Sequence, residues 1–371
     1  MTVKDLAYCA QQHLHTNTGS SFKRAHIYEL LVSSFGFNSY AAFGVDTVFT
    51  ELHSSDTTVV PLSALIKRRC IELGYGPDTA TIASAKLQSY LAESQIGIAS
   101  ISSLINQLRG ESPGDDEDQD EDQEHLFCFP DANGCGPILL DGLETAASKG
   151  SAKANYALAL IHAPAFDDDG HPDGGNSYWH SQQEQGRILT GVEKEWADAY
   201  ETHVVRTEKY TRHLREAGRL GNQLALFELA ERFDDPSIFE QLSDAVDVDP
   251  AEVASIAERM DRSADAKHWL TVAAESGDTE AMLQLIEDYD QDDLLRCWTW
   301  AYLSQLLGTD LTRDAHYAIN EAGSEYDDDI GGPAYVAGHD GIDLEPLTAQ
   351  QDAKAKDAAQ NLFAEIERKT R

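Results

Sequence analysis

The chain has 371 residues, 42% of them hydrophobic, which is enough for two or more folded units with buried cores. Its 65 acidic and 28 basic residues give a formal net charge of -37, which disfavours direct binding to nucleic acid or anionic lipid. The acidity favours a basic partner, or it serves only to keep the protein soluble. No segment has the roughly 20 apolar residues of a membrane-spanning helix, and Asp5 interrupts any signal-peptide core, so we expect a soluble, cytoplasmic protein.

The first 110 residues have the pattern of a small helical domain. Apolar residues recur at helical spacing, and glycines or capping residues stand where each helix should end or begin. A Ser39 cap predicts a helix from Tyr40, and the other predicted helices span residues 22–35, 61–73, 79–92 and 99–109. The corner near residue 36 could suggest a DNA-reading motif, but the acidic background favours simple packing.

Residues 111–125, ESPGDDEDQDEDQEH, predict an acidic linker between this domain and a second one over residues 126–371. Such a run cannot bury apolar surface and repels itself. A lure for a basic partner is the alternative interpretation of the same charges.

Three segments after the linker align without gaps, beginning at Leu143, Leu214 and Leu270. Each has a small residue pair, then a glycine, then Ser, Asn or Asp, and then alanine and leucine one turn apart. Glycine can adopt the left-handed conformation that ends a helix, and Ser, Asn and Asp are favoured at the start of the next. The predicted hairpin residues are Ala146, Gly150, Ala154, Leu158, Ala217, Gly221, Ala225, Leu229, Ala273, Gly277, Ala281 and Leu285.

This A-A-x-x-G-x-x-x-A-x-x-x-L pattern resembles the Sel-one-like repeat, a branch of the tetratricopeptide-like helical repeats, over residues of about 138 to 310. The resemblance implies an all-α fold, an irregular α-solenoid of helical hairpins preceded by the small N-terminal domain. The copies are farther apart than one repeat of about 34 residues. We interpret residues 164–183 as an inserted loop, and residues 184–212 and 237–262 as degenerate helical units.

The C-terminal part of the chain predicts a glycine- and aspartate-rich loop over residues 323–345 and a final helix. Thr348 and Gln351 fit a capping box for that helix, and its apolar stripe suits the cap of a solenoid.

Metal sites receive little support from the sequence. The acidic loop at residues 167–175 offers Asp167, Asp169 and Asp173 to a hard cation, but it lacks the spacing and closing Glu of an EF-hand. The cysteines follow neither a disulfide framework nor a zinc template, and we expect reduced, mostly buried thiols. The five are Cys9, Cys70, Cys128, Cys135 and Cys297.

No catalytic, cofactor or metal residues are predicted, because phosphate-loop, dinucleotide and nucleophile-elbow motifs are absent from the sequence. The resemblance implies a bacterial, cytoplasmic scaffold or adaptor that binds a protein or peptide, possibly a basic one, and is not an enzyme. Two alternatives stay open. The chain could be an acidic nucleic-acid mimic that inhibits a DNA- or RNA-binding protein, or the N-terminal domain could hold an unrecognised active site.

Overall fold

The computed structural model describes residues 1–44, 46–51, 62–110, 135–164, 177–241, 248–320 and 333–370, and these are mostly helical, as predicted. They divide into two compact units, Met1–Phe233 and Asp234–Arg371. The predicted linker at residues 111–125 lies outside the described residues, so a boundary there stays a prediction.

In its described residues, the first unit is helical apart from one two-stranded sheet. Its elements are α1 (Val3–Thr18), α2 (Arg24–Ser33), α3 (Tyr40–Phe43), β1 (Thr47–Glu51), α4 (Ser63–Glu72), α5 (Pro77–Glu93), β2 (Ile96–Ser100), α6 (Ile101–Leu108), α7 (Pro137–Ser148), α8 (Ala152–His162), α9 (Ser177–Glu184), α10 (Val192–Arg219) and α11 (Gln223–Phe233).

Helices α1, α2, α4 and α5 pack around an apolar core at the beginning of this unit. Leu6, Leu31 and Leu87 are fully buried there, and burying each such side chain contributes about 1.5–3 kcal/mol. Ser39 caps α3 as predicted, since its side chain accepts the N–H of Ala42.

The antiparallel pair β1–β2 was not predicted. Thr47 pairs with Ser100 and Glu51 with Ile96, so residues 99 and 100, expected in a helix, belong to a strand. Helix α7 packs closely on β1: a Cβ on Gly142 would lie 3.2 Å from Cβ of Val48. Helix α6 packs on α8, so elements on both sides of residues 111–134 belong to one unit.

Each of the three motif glycines lies between two helices with a positive φ: 88° at Gly150, 89° at Gly221 and 108° at Gly277. The residue that follows donates its N–H to the motif alanine five positions back, at 3.2 Å from Ser151, 3.0 Å from Asn222 and 3.1 Å from Asp278. This is the Schellman pattern of helix termination.

The same three residues also start the next helix. Their side-chain oxygens accept the N–H of the second motif alanine, at 3.2 Å for Ala154, 2.8 Å for Ala225 and 3.1 Å for Ala281. One short sequence thus ends one helix and caps another. The motif leucines and alanines of the hairpins α7–α8 and α10–α11 share a single core.

The second unit also consists mainly of helices. Its elements are α12 (Ser237–Gln241), α13 (Pro250–Arg259), α14 (Ser263–Ser276), α15 (Thr279–Gln284), which continues as a π-helical turn (Leu285–Tyr289), α16 (Leu294–Leu307), β3 (Ala315–Ile319), β4 (Tyr335–His339) and α17 (Ala349–Thr370).

The turn between α13 and α14 repeats the motif geometry without a glycine. Asp261 has a φ of 57°, and the N–H of Arg262 donates to the carbonyl of Ala257 at 2.8 Å. Aspartate tolerates this conformation better than most residues. The sequence pattern missed this hairpin because it required glycine at the turn.

Two segments expected to be loops contain regular structure. Helix α9 lies within residues 164–183 for most of its length, and β4 lies within residues 323–345, where it pairs with β3 in an antiparallel ladder. The C-terminal helix α17 has the predicted capping box, since the Thr348 N–H donates to Oε1 of Gln351 and the Gln351 N–H to Oγ1 of Thr348. It packs on α16.

Candidate functional site

Helix α10 carries a local reversal of the chain's charge. Its first turn holds Glu193 and Glu195, which suit the positive end of a helix dipole. Residues 203–219 contain five Lys or Arg residues and only two Glu residues, in a chain with a formal net charge of -37. The dipole accounts for cations in the last turn of α10 but not for those farther back.

A groove of about 1030 Å³ runs along this part of α10, with Asn155 of α8 and Ser177 of α9 at its border. Its lining combines uncharged side chains such as Tyr200 and Val204 with charged ones. The charged lining residues are Glu208, Arg212, Arg215, Glu216 and Arg219.

The cations of the groove differ in how they are paired. Arg219 is engaged by Glu216, with Nε and Nη2 donating to the carboxylate at 2.9 and 2.6 Å. Arg215 is exposed and forms no ion pair with a described residue. Arg212 only approaches the ring of His213, at 3.3 Å. Two guanidinium groups therefore face the groove without a carboxylate partner in the described part of the chain.

A hydrogen-bond chain fixes the protonation of His213. Buried Asn155 donates its amide Nδ2 to the Ser151 carbonyl at 3.1 Å, so its Oδ1 accepts from Nδ1 of His213 at 3.1 Å. Nε2 of His213 is then the acceptor for the Arg212 guanidinium. The ring of His162 stacks beside that of His213, with centroids 6.2 Å apart.

Both histidines are held in the neutral form. Burial lowers the pKa of His162 to about 4, and the nearby cations Lys209, Arg206 and Arg212 contribute to this shift, as does His213. Burial, then Arg212 and Lys209, lower the pKa of His213. The positive charge of this region therefore comes from its lysine and arginine side chains.

Arg206 lies where α10 meets the end of α8. Its Nη2 donates to the carbonyl of Ala163 at 2.8 Å, and its Nε is buried without a hydrogen-bond partner among the described residues. A cation at the C-terminal end of a helix stabilises the exposed carbonyls. The position of Arg206 is therefore explained by its contact with the end of α8. Among the described residues, no such contact explains Arg212 and Arg215.

Two other polar clusters are satisfied internally. In the first unit the hydroxyls of Tyr156 and Tyr210 donate to Glu228 at 2.5 and 2.7 Å, and burial, followed by the Glu228 charge, raises the pKa of both phenols. In the second unit buried Asp290 accepts from Lys267 and Arg296. Because these groups are paired within the fold, we interpret both clusters as structural.

The sequence-predicted hairpin residues lie in cores and turns, not in this groove. Ala146, Ala154, Leu158, Ala217, Ala225 and Leu229 share one core of the first unit, and Gly150 and Gly221 form its turns. Ala273, Ala281 and Leu285 are buried in the second unit beside the turn at Gly277.

The acidic loop at residues 167–175 and Cys128 lie outside the described residues. Within the described ranges, no group of three or more His, Cys, Asp or Glu side chains is arranged to hold a metal ion. Cys70, Cys135 and Cys297 are buried free thiols, whereas Cys9 is an exposed one.

The N-terminal 110 residues contain a cavity of about 200 Å³ near α2 and α4. Its Arg69 is held by Glu29 at 2.6 Å and by Glu72 at 3.1 Å. These charged groups are paired with one another, which is the arrangement of a structural ion-pair cluster.

No family model, curated protein or solved structure matches the chain. Among the described helices, none is both long enough and apolar enough to cross a membrane.

The groove was not predicted from the sequence, although one signal was present. The net positive charge of residues 203–219 stands out in a chain this acidic. Residues 184–212 were predicted only as a degenerate helical unit. The positions of Asn155, His162 and Ser177 beside α10 follow only from the packing of α8 and α9 on α10.

Proposed function

We propose that this protein is a non-catalytic binding module of the Sel-one-like, tetratricopeptide-like kind, which acts in the cytoplasm and holds a segment of another protein in the α10 groove. The single observation that carries the proposal is the groove itself, open along a helix whose Arg212 and Arg215 have no carboxylate partner among the described residues. Helical-repeat proteins use such surfaces between stacked hairpins for binding.

The recurrence of one turn supports a solenoid-like stacking of hairpins. In four described helix pairs the residue that donates the helix-ending Schellman hydrogen bond also directly precedes the next helix, at Ser151, Asn222, Arg262 and Asp278. The hairpins α7–α8 and α10–α11 bury their motif residues against each other in one core. Stacking of this kind leaves one helix face of each unit available to a partner.

The size of the groove favours a peptide segment over a small metabolite. Small-molecule pockets usually enclose about 300–1,000 Å³ and converge on a few fixed polar groups. The α10 groove, at about 1030 Å³, lies just above that range and extends from Tyr200 to Arg219. A stretch of several residues would fill it.

The proposal is tested by photo-crosslinking in the native cell. A photoreactive amino acid replaces Thr207, which lines the groove, or Glu195, which is exposed on the same helix and does not line it. We expect a discrete crosslinked protein with the Thr207 variant and none with the Glu195 variant. Equal products from both positions, or none from Thr207, would contradict the proposal.

A further inference from the structure

We propose that the segment bound in the α10 groove is acidic, with its carboxylates on Arg212 and Arg215 and its apolar side chains against Tyr200 and Val204. This inference rests on the proposed function and adds the chemical class of the partner. The overall charge of the chain favours a basic partner, whereas this site favours an acidic one.

Within the described ranges, a bound carboxylate would displace no existing carboxylate partner of Arg212 or Arg215. Arg215 forms no ion pair with a described residue, so it would lose no existing partner there. Arg212 would give up only the 3.3 Å contact with His213. A guanidinium group presents two parallel N–H donors that match the two oxygens of a carboxylate.

The groove also contains groups that restrict where the acidic residues can lie. Glu208 and Glu216 are part of its lining and would repel a carboxylate placed beside them. The Thr207 hydroxyl donates to His203 and the Thr211 hydroxyl to Thr207, both to main-chain carbonyls. With those donors used within α10, the surface between the charged groups favours apolar side chains.

The contrast between local and total charge favours a short acidic segment over a long polyanion. At physiological ionic strength the Debye length is about 8 Å, so a short ligand experiences mainly the charges of the groove. A nucleic acid would extend beyond the groove over a chain with 65 acidic and only 28 basic residues, where its phosphates are repelled.

The test selects peptides from a random phage library, each peptide about three helical turns long, on the full chain. The affinity of the enriched peptides is then measured by fluorescence anisotropy. We expect them to contain an excess of Asp and Glu alternating with apolar residues. This result is discriminating, because the net charge of -37 would by itself enrich basic peptides. Enrichment of basic or uncharged peptides, or of none, overturns the inference.

A pair of charge-reversal variants locates the binding. Arg212→Glu/Arg215→Glu should weaken the acidic peptide at least tenfold. The matched control, Lys67→Glu/Lys86→Glu, changes the net charge equally at exposed positions on α4 and α5 and should change affinity less than about threefold. Equal losses of affinity in both variants would show a long-range charge effect and would overturn the assignment of binding to Arg212 and Arg215.

Two further outcomes separate this inference from the proposed function. Displacement of the peptide by a single-stranded DNA oligonucleotide at comparable concentration would assign the groove to nucleic acid and overturn the inference. If the Thr207 crosslink captures a protein through a segment without acidic residues, the proposed function stands and the inference that the bound segment is acidic is wrong.

Discussion

At the scale of single residues, the helix-ending glycines are positions where the left-handed backbone disfavours most other side chains. Gly221 has a φ of 89°, and beyond its chain neighbours no atom of the described residues lies within 4 Å of the point that a Cβ would occupy, so strain from a larger residue would come from the backbone alone. Gly221→Ala should lower the free energy of unfolding by about 1–2 kcal/mol, measured by urea denaturation.

Gly76 provides a matched control for this change. It lies in the same unit, also has no atom near an added Cβ, and has a φ of -64° that alanine readily adopts. Gly76 is the N-cap of α5, so alanine loses some capping preference there but also reduces the freedom of the unfolded chain, and Gly76→Ala should cost clearly less than Gly221→Ala. Similar losses at both glycines would mean that the left-handed turn does not determine the cost.

His162 links the stability of the first unit to pH. Its pKa is about 4 in the folded protein, against about 6.5 for an ordinary histidine, so the unfolded chain binds a proton first as the pH falls. The contribution of neutral His162 to the free energy of unfolding is therefore complete above pH 6.5 and is lost as the pH falls from about 6.5 to about 4. The loss should amount to roughly 1–3 kcal/mol, reduced from the full shift because the ring is only half-buried.

The measurement compares the urea midpoints of the wild type, His162→Gln and His15→Gln across this pH range. His162→Gln should flatten the decline between about pH 6.5 and pH 4, whereas His15→Gln, at an exposed position on α1, should retain it. A His162→Gln profile as steep as that of the wild type would exclude this ring as the source.

At the scale of elements, the second unit is held together where the π-helical turn ends. The Asp290 carboxylate is 1% exposed and accepts from Nζ of Lys267 at 2.7 Å and from Nε of Arg296 at 2.9 Å. Nε1 of Trp300 donates to it at 3.1 Å. One side chain therefore joins α14, the π-helical turn and α16.

Asp290→Asn should lower the free energy of unfolding by about 2–4 kcal/mol, because it removes the counter-charge of two cations. The cost is below that of a fully buried pair, since Lys267 and Arg296 remain partly in contact with solvent. Tryptophan fluorescence during urea unfolding reports on this region through Trp300. Asp292→Asn, at an exposed neighbouring position, is the control and should be nearly neutral.

The elements that could be predicted are those whose signals are local. A capping residue and a left-handed glycine act within one turn of chain, so Ser39, Thr348 and the three motif turns could be recognised in the sequence. The β1–β2 ladder pairs residues far apart along the chain, and no local pattern in residues 96–100 distinguishes a strand from the start of a helix. The turn at Asp261 was missed because aspartate can replace glycine there.

At the scale of the whole molecule, the candidate site could not be predicted because it depends on packing between helices. The cations of α10 are visible in the sequence, but the neutral state of His213 follows from Asn155 on α8 and from Arg212. Composition described the average charge and therefore pointed to a basic partner. The groove is a local exception to that average.

The overall charge leads to a prediction about salt. With 65 acidic and 28 basic residues, the folded chain repels itself, and added salt screens that repulsion more strongly in the compact state. Raising NaCl from about 10 to about 200 mM should raise the melting temperature by several degrees, since about 1 kcal/mol corresponds to roughly 2–4 °C in a protein of this size. A lower melting temperature would mean that surface ion pairs outweigh the repulsion.

Binding measured over the same salt range, with and without Arg212→Glu/Arg215→Glu, distinguishes the proposed site from the acidic-mimic alternative. Acidic peptides bound by Arg212 and Arg215 should dissociate more readily as salt rises, although the fold becomes more stable. A nucleic-acid mimic would also lose its partner with salt, but its binding would survive Arg212→Glu/Arg215→Glu and would be strengthened by the added negative charge. Loss of binding in that variant, together with a melting temperature that rises with salt, would assign recognition to the groove and leave the remaining acidity as a property of the surface.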